Sequence, residues 1–418
     1  MLKCGFYETD ITSFIGCDLP GGFKREICKG LQEPLHAHAC ALQASEEPVV
    51  IISLDAIAVE ECDSTAIRKG ISDTTGIPSS NISVAAVHIH SGGPSIDLYE
   101  SRRDDLYCNL MVRRAIDAGI MAYRNMEDAR IGFVSRPVEG LAFNRRFYMK
   151  DGTVLMNPVG QKNNIVKPAD IVDNEFFVVR VDRADGTLMG ILTSFALHLA
   201  TVDNYVYCNT DYPGQICKHL RARYGQELGY LSLTGCCGNV NHLDFVGAPP
   251  VVPRNHKTIG ATLAEAAIDM IDGLKTKDTD IVACTSTTIT AHMRRPTADE
   301  CLKQTDRFIM TEMLRALELP EEDVDIEIWT ARIGDDTIQM LPGEIFARFG
   351  LDIKERSIGD HNLVAELCNA NLGYIYTKEA EIQGGYEATP STYIKMNSDT
   401  GYKIVDTAIA NQKKLFII

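Results

Sequence analysis

The sequence predicts an α/β protein. Short β-rich runs alternate with longer amphipathic helical stretches, which speaks against a helical bundle or a β-sandwich. The composition, 45% hydrophobic and 23% charged, is that of an ordinary packed domain. A length of 418 residues is ample for a large core, and one domain over 1–418 is the expectation, with a weak boundary at 276–283 where a helical stretch gives way to a β-rich run.

The elements follow in order. VVIISLDA (49–56) reads as a buried strand, 63–72 as a helix, and NISVAAVHIH (81–90) as a strand ended by a glycine turn. Helix 109–124, strand GILTSFALH (190–198), helix 212–224, strand YLSLTG (230–235) and helix 258–275 come next, then a helix over 298–317 and strand DTIQMLPGE (336–344). The proline-rich stretch 247–253 cannot be regular and is expected to cover one face.

A formal charge of −16 repels nucleic acid phosphates and anionic lipid, which leaves a small-molecule substrate as the expected partner. The longest apolar run, 48–59, is broken by Ser53 and Asp55 and is too short to span a bilayer. Thirteen cysteines without CxxC spacing, and an amino terminus without a secretory pattern, point to a reducing cytoplasm. Nothing in the sequence fixes an oligomeric state.

The chemistry gathers where strands end, which is where ligands sit in open α/β sheets. Period-2 alternation puts His88 and His90 on one face before Ser91–Pro94 forces a turn. His198 ends a second strand, and Glu344 follows a Pro-Gly turn after a third. Several nitrogen and oxygen ligands with one open position are what a catalytic zinc needs, because the open position holds the water whose pKa falls. Plainer readings stand beside this: a lone histidine is more often a satisfied core residue, and Glu344 also suits the cap of a helix over 345–356. A second pair, His36 and His38, shares a face if its stretch is a strand, and reads as lining a pocket. Cys236 and Cys237 read as packed under a glycine loop. No GxGxxG after a strand, Walker loop, HExxH or GxSxG is present.

Taken in order, GFYETDIT, QEPLHAHACAL, IISLDA, HIHSGGP, FNRR, SFALH, GNVNH, LPGE and NLGYIYTKEAEIQGGYEA resemble the catalytic domain of the neutral, non-lysosomal ceramidases. The resemblance implies a mixed-sheet catalytic domain with flanking helices. It assigns a zinc ion (Zn2+) to His88, His198, Glu344 and Tyr374. It also implies that His90 faces the substrate, and that Arg145 and Tyr386 engage the scissile carbonyl or its oxyanion. Where ceramidases carry a serine in a Gly-Asp-x-Ser-Pro stretch, this sequence has Gly238, Asn239, Val240, Asn241 and His242. Attack then falls to zinc-activated water, with Asn241 against substrate and His242 assisting. The length leaves no room for the carboxyl-terminal immunoglobulin-like domain of typical ceramidases. The expected function is a zinc-dependent, amidase-like hydrolase of a small soluble substrate. Two alternatives stand: a zinc lyase or isomerase with His90 as base, and a non-catalytic metal-binding relative.

Overall fold

The computed structural model describes residues 1–248, 250–320 and 322–417. Its centre is an eight-stranded mixed sheet built from β1 (Lys3–Asp10), β2 (His36–Gln43), β3 (Val49–Leu54), β4 (Ile82–Ala86), β5 (Glu127–Pro137), β6 (Glu175–Arg183), β7 (Leu188–Phe195) and β8 (Gly229–Thr234). The spatial order is β8-β7-β6-β5-β1-β2-β3-β4. The β3–β4 and β7–β8 pairs are parallel and the others antiparallel. Each parallel pair is joined through a helix, α1 (Glu61–Thr75) for the first and α3 (Asp211–Tyr224) for the second, as parallel pairing requires.

Alternation along β2 and β3 shows how both faces of this sheet are buried. Ala39, Ala41, Val50 and Ile52 pack toward α1 and α2 (Asp105–Arg124). Cys40, Leu42, Val49 and Ile51 face the opposite way, against Trp329, Ala331, Ile338 and Leu363 of a second sheet. That sheet has four strands in the order β9 (Val282–His292), β10 (Asp323–Ile333), β11 (Asp336–Met340) and β12 (Asn362–Ala365). The carboxyl-terminal helix Asp399–Ile417 covers its far side, so the layers run helix, sheet, sheet, helix. The flanking helices were legible in the sequence; the stacking of two sheets was not.

Capping explains several helix limits. Asp104 accepts from the N–H groups of Leu106 and Tyr107 to open α2, and Asn255 with Thr258 forms a capping box at α4 (His256–Gly273). The helix expected over 298–317 is two helices, Ala298–Lys303 and Arg307–Ala316. The break has a local cause: Asp306 accepts from the N–H groups of Phe308 and Ile309 and so starts a new helix. The segment around 276–283 runs from the first sheet to the second, and Lys277 exchanges two backbone hydrogen bonds with Ile131 on the way. The stretch 247–253 has no regular structure at its described positions; residue 249 lies outside the described residues. No helix among the described residues is long and apolar enough to cross a membrane.

Candidate metal centre

The two parallel pairs run in opposite directions within the sheet, yet their carboxyl ends meet: the Thr234 hydroxyl at the end of β8 donates to the Val87 carbonyl just past β4. β4 stops at Ala86, two residues before His88, so the pleat does not reach the histidines as the alternation predicts. Instead His88 adopts a left-handed conformation, φ +72°, and the N–H groups of His88 and Ile89 both donate to the Ala56 carbonyl. This turn, rather than a strand, brings Nε2 of His88 and Nε2 of His90 to 3.2 Å. His198 follows β7 after a tight turn in which Leu197 N–H donates to Phe195.

Glu344 and Tyr374 are placed by a short parallel pairing, Glu344–Ile345 with Tyr374–Ile375, in which the two residues are direct partners and present their side chains alike. The pairing depends on close backbone approach at Gly343 and Gly373, both left-handed. A Cβ on Gly343 would come within 2.8 Å of the Gly373 carbonyl oxygen.

The protonation pattern can be read from the backbone. Nδ1 of His88 lies 2.8 Å from the Ile57 carbonyl, Nδ1 of His198 2.9 Å from that of Cys237, and Nδ1 of His90 2.6 Å from that of Gly21. A carbonyl only accepts, so each Nδ1 carries a hydrogen, and on a neutral ring the Nε2 then turns a lone pair inward. Oε2 of Glu344 stands 3.2 Å from Nε2 of His88 and 3.3 Å from Nε2 of His198, buried and hydrogen-bonded to neither. Tetrahedral zinc ligands at their usual bond lengths stand about 3.3–3.4 Å apart. His88, His198 and Glu344 therefore fit a divalent cation in spacing and in lacking any other partner for the inner carboxylate oxygen.

Burial raises the Glu344 pKa, but His88 and His198 outweigh it and hold the carboxyl well below the usual range. Burial and the Arg145 charge push His198 down to about 3, and burial with the neighbouring imidazoles depresses His90. For His88 the burial effect is overcome by Glu344, which raises it. His198 and His90 are neutral bases.

Beside this cluster Arg145 is buried and fixed from several sides. It reaches Glu387 through Nε, and its Nη2 donates to the Gly238 carbonyl at 2.6 Å and to the Tyr374 hydroxyl at 3.0 Å. Its guanidinium carbon lies 5.5 Å and 5.4 Å from the ring centres of Tyr374 and Tyr386. The second carboxylate oxygen of Glu387 takes Arg146 at 2.8 Å. A cavity of about 100 Å³ lies against His88, His90, Arg145, Glu344, Tyr374 and Tyr386. Phe23 and Tyr99 close its outer side, their ring centres 5.3 Å apart. The chain at Gly21 approaches so closely that a Cβ there would stand 2.0 Å from the His90 carbonyl oxygen.

Other expected residues lie outside the cavity. The Asn241 amide donates to the side chain of Asn157, and His242, pulled down to about 4 by burial and then Arg254, does not line the cavity either. His36 and His38 do lie in a strand and share a face, but they line a separate cluster around Asp55. Cys236 and Cys237 are buried, Cys236 against Gly350 of a neighbouring helix, and Cys237 serves the centre through its carbonyl. Residues that sequence reasoning missed include Tyr393, which donates to Glu344; Glu387, which sits inside the quoted GGYEA run; and Glu366, which accepts from the N–H groups of Cys237 and Ile345.

No known family profile matches the chain, and no curated protein matches it. Solved structures do. Over 99% of this chain and 75% of the other, the fold matches neutral ceramidase from Pseudomonas aeruginosa with a TM-score of 0.73 and 16% identity. A ceramidase complexed with C2 matches over the same shares, with a TM-score of 0.74 and 16% identity. The chain thus has a ceramidase-like fold.

Proposed function

We propose that the chain is a zinc-dependent hydrolase that cleaves an amide or related carbonyl bond of a small soluble substrate. The observation that carries this is the convergence of inward-facing imidazole nitrogens on an unpartnered buried carboxylate oxygen, beside a fixed guanidinium. His88, His198, Glu344 and Tyr374 would hold the ion, which supplies Lewis acidity toward a carbonyl and lowers the pKa of water. Tyr374 remains a protonated phenol until then, since burial and Glu344 raise its pKa. His90, with Nδ1–H tied to Gly21, keeps Nε2 free to take a proton and return it to the leaving group. Arg145 and Tyr386 stand on the cavity wall, where negative charge would develop on the substrate oxygen. The ceramidase neighbours support amide chemistry, and the free cysteines support a reducing compartment such as the cytoplasm.

A cavity of about 100 Å³ is small beside the ~300–1,000 Å³ of sites for drug-sized ligands, which favours a compact substrate over a long-chain lipid. The test compares short N-acyl compounds, sugar-derived amides and hydroxylated carbonyl metabolites with detergent-dispersed long-chain ceramide, in ¹⁸O-labelled water. Label in the product of a small amide is expected. Preference for ceramide would overturn the substrate assignment, and turnover without label would replace hydrolysis by lyase or isomerase chemistry.

A further inference from the structure

We propose a second divalent transition-metal site, formed by His36, His38 and Asp55, separate from the centre described above and independent of the hydrolase reading. The strand geometry assembles it. His36 and His38 are alternate residues of β2, and so lie on one face. Asp55 follows the end of β3, the neighbouring strand, and is pinned beside His36 by two hydrogen bonds: His36 N–H to Asp55 Oδ2 at 2.8 Å and Asp55 N–H to the His36 carbonyl at 2.9 Å. Nδ1 of His36 is 3.9 Å and Nε2 of His38 is 3.7 Å from the same Asp55 Oδ2. One donor atom from each residue falls within 4.8 Å of the others. The two distances to Asp55 exceed hydrogen-bond length and stand within about half an ångström of the ~3.4 Å between ligands sharing a tetrahedral zinc, so the site closes on an ion by drawing the rings inward.

Two further observations point the same way. Asp55 is buried, and among the described residues its ion-pair partners are these two imidazoles and no lysine or arginine. Behind His38 stands a built support: Glu8 Oε2 lies 3.2 Å from Nδ1, and Arg221 holds both oxygens of Glu8 at 3.0 Å and 2.8 Å. A carboxylate behind the outer nitrogen of an imidazole is the usual means of orienting a metal-bound histidine. Here Nδ1 has not formed a hydrogen bond and is a buried atom without a partner, so a ring rotation that brings Nε2 to an ion would complete the contact to Glu8 as well. His36 is a quarter exposed, which gives an ion a way in and leaves a coordination position facing outward. Two imidazoles and a carboxylate suit zinc, cobalt or nickel better than calcium or magnesium.

The location gives such an ion a purpose. Asp55 adjoins Ala56 and Ile57, whose carbonyls receive the N–H groups of His88 and Ile89 and Nδ1–H of His88. An ion at Asp55 would hold this segment, and with it the orientation of the first centre.

The test uses the untagged full chain, stripped by chelation and titrated with Co2+, read by visible absorption and by metal counted per chain. The parent should take up two ions, falling to one in Asp55→Asn. The His88→Ala/His198→Ala chain isolates the second site and should still bind one, with affinity reduced at least ~10²-fold by adding His38→Asn and ~10–100-fold by adding Glu8→Gln. Circular dichroism melts establish that each chain is folded. A single ion in the parent, or binding unchanged in folded Asp55→Asn, overturns the proposal. Two ions in a parent that hydrolyses nothing would sink the hydrolase reading and leave this one standing.

Discussion

Tyr393 donates its hydroxyl hydrogen to Oε1 of Glu344 at 2.7 Å, which leaves Oε2 of that carboxylate turned toward Nε2 of His88 and His198. The phenol aims the glutamate without sharing its inner oxygen. Tyr393→Phe is expected to leave the fold intact and to weaken metal binding at this centre by ~10–100-fold, the usual effect of losing a supporting hydrogen bond. Competition with a chelator of known affinity measures it, and an unchanged affinity would show that Glu344 is oriented by its backbone pairing alone.

His88→Ala and His198→Ala should each lower the zinc content of the dialysed protein by one ion per chain relative to the parent. Elemental analysis reads this directly. Either variant retaining the parent's full content would remove that residue from the ligand set.

Tyr386→Phe deletes one hydroxyl from the cavity wall and should lower turnover at least ~10²-fold with zinc retained, since a donor to a developing oxyanion supplies about 3–4 kcal/mol. Arg145→Ala is a different experiment. Arg145 shares the buried Glu387 carboxylate with Arg146, so its removal should also destabilise the fold, by about 3–5 kcal/mol on the scale of broken buried ion pairs. Melting curves beside rates separate the two, and a Tyr386→Phe enzyme as fast as the parent would take that phenol out of the mechanism.

Glu366 gives a pH-dependent prediction for the metal-stripped protein. Burial raises its pKa to about 8, so the folded chain holds this proton well above the ~4.3 of a free glutamate. Its contribution to stability is full below ~4.3 and is lost as pH rises toward 8. Glu366→Gln keeps acceptors for the N–H groups of Cys237 and Ile345 and has no proton to lose, so its melting temperature should gain on the parent's across that window. Glu366→Ala orphans both donors, at about 1–3 kcal/mol each. Parallel melting curves for parent and Glu366→Gln would contradict the assigned shift.

The structure shows where sequence reasoning reached and where it stopped. The polar strand ends were legible because periodicity and glycine turns are local, and they located His88, His90, His198 and Glu344. The reason given for the first pair was wrong, since a left-handed His88 beyond the strand, not a pleat, aims the rings. Tyr374 entered only through the resemblance; its place depends on a backbone pairing with Glu344 that no local pattern announces. Tyr393 and Glu366 were invisible for the same reason. Asp306 shows the reverse case, a cap written plainly in the sequence and overridden by a helical periodicity that ran through it.

The two stacked sheets would give an ion at the candidate centre a thermodynamic standing beyond its chemistry. His88 and His198 follow strands of the first sheet, while Glu344 and Tyr374 follow strands of the second, so the full donor set exists only while the two layers are docked. An ion bound there has no counterpart site in a chain whose sheets have parted, and its binding free energy is added to the global unfolding free energy as RT ln(1 + [L]/Kd). At a free concentration a thousand times Kd this is about 4.1 kcal/mol, comparable with much of a domain's net stability. The supply of such an ion would then set how long a molecule survives a protease that waits for the layers to open.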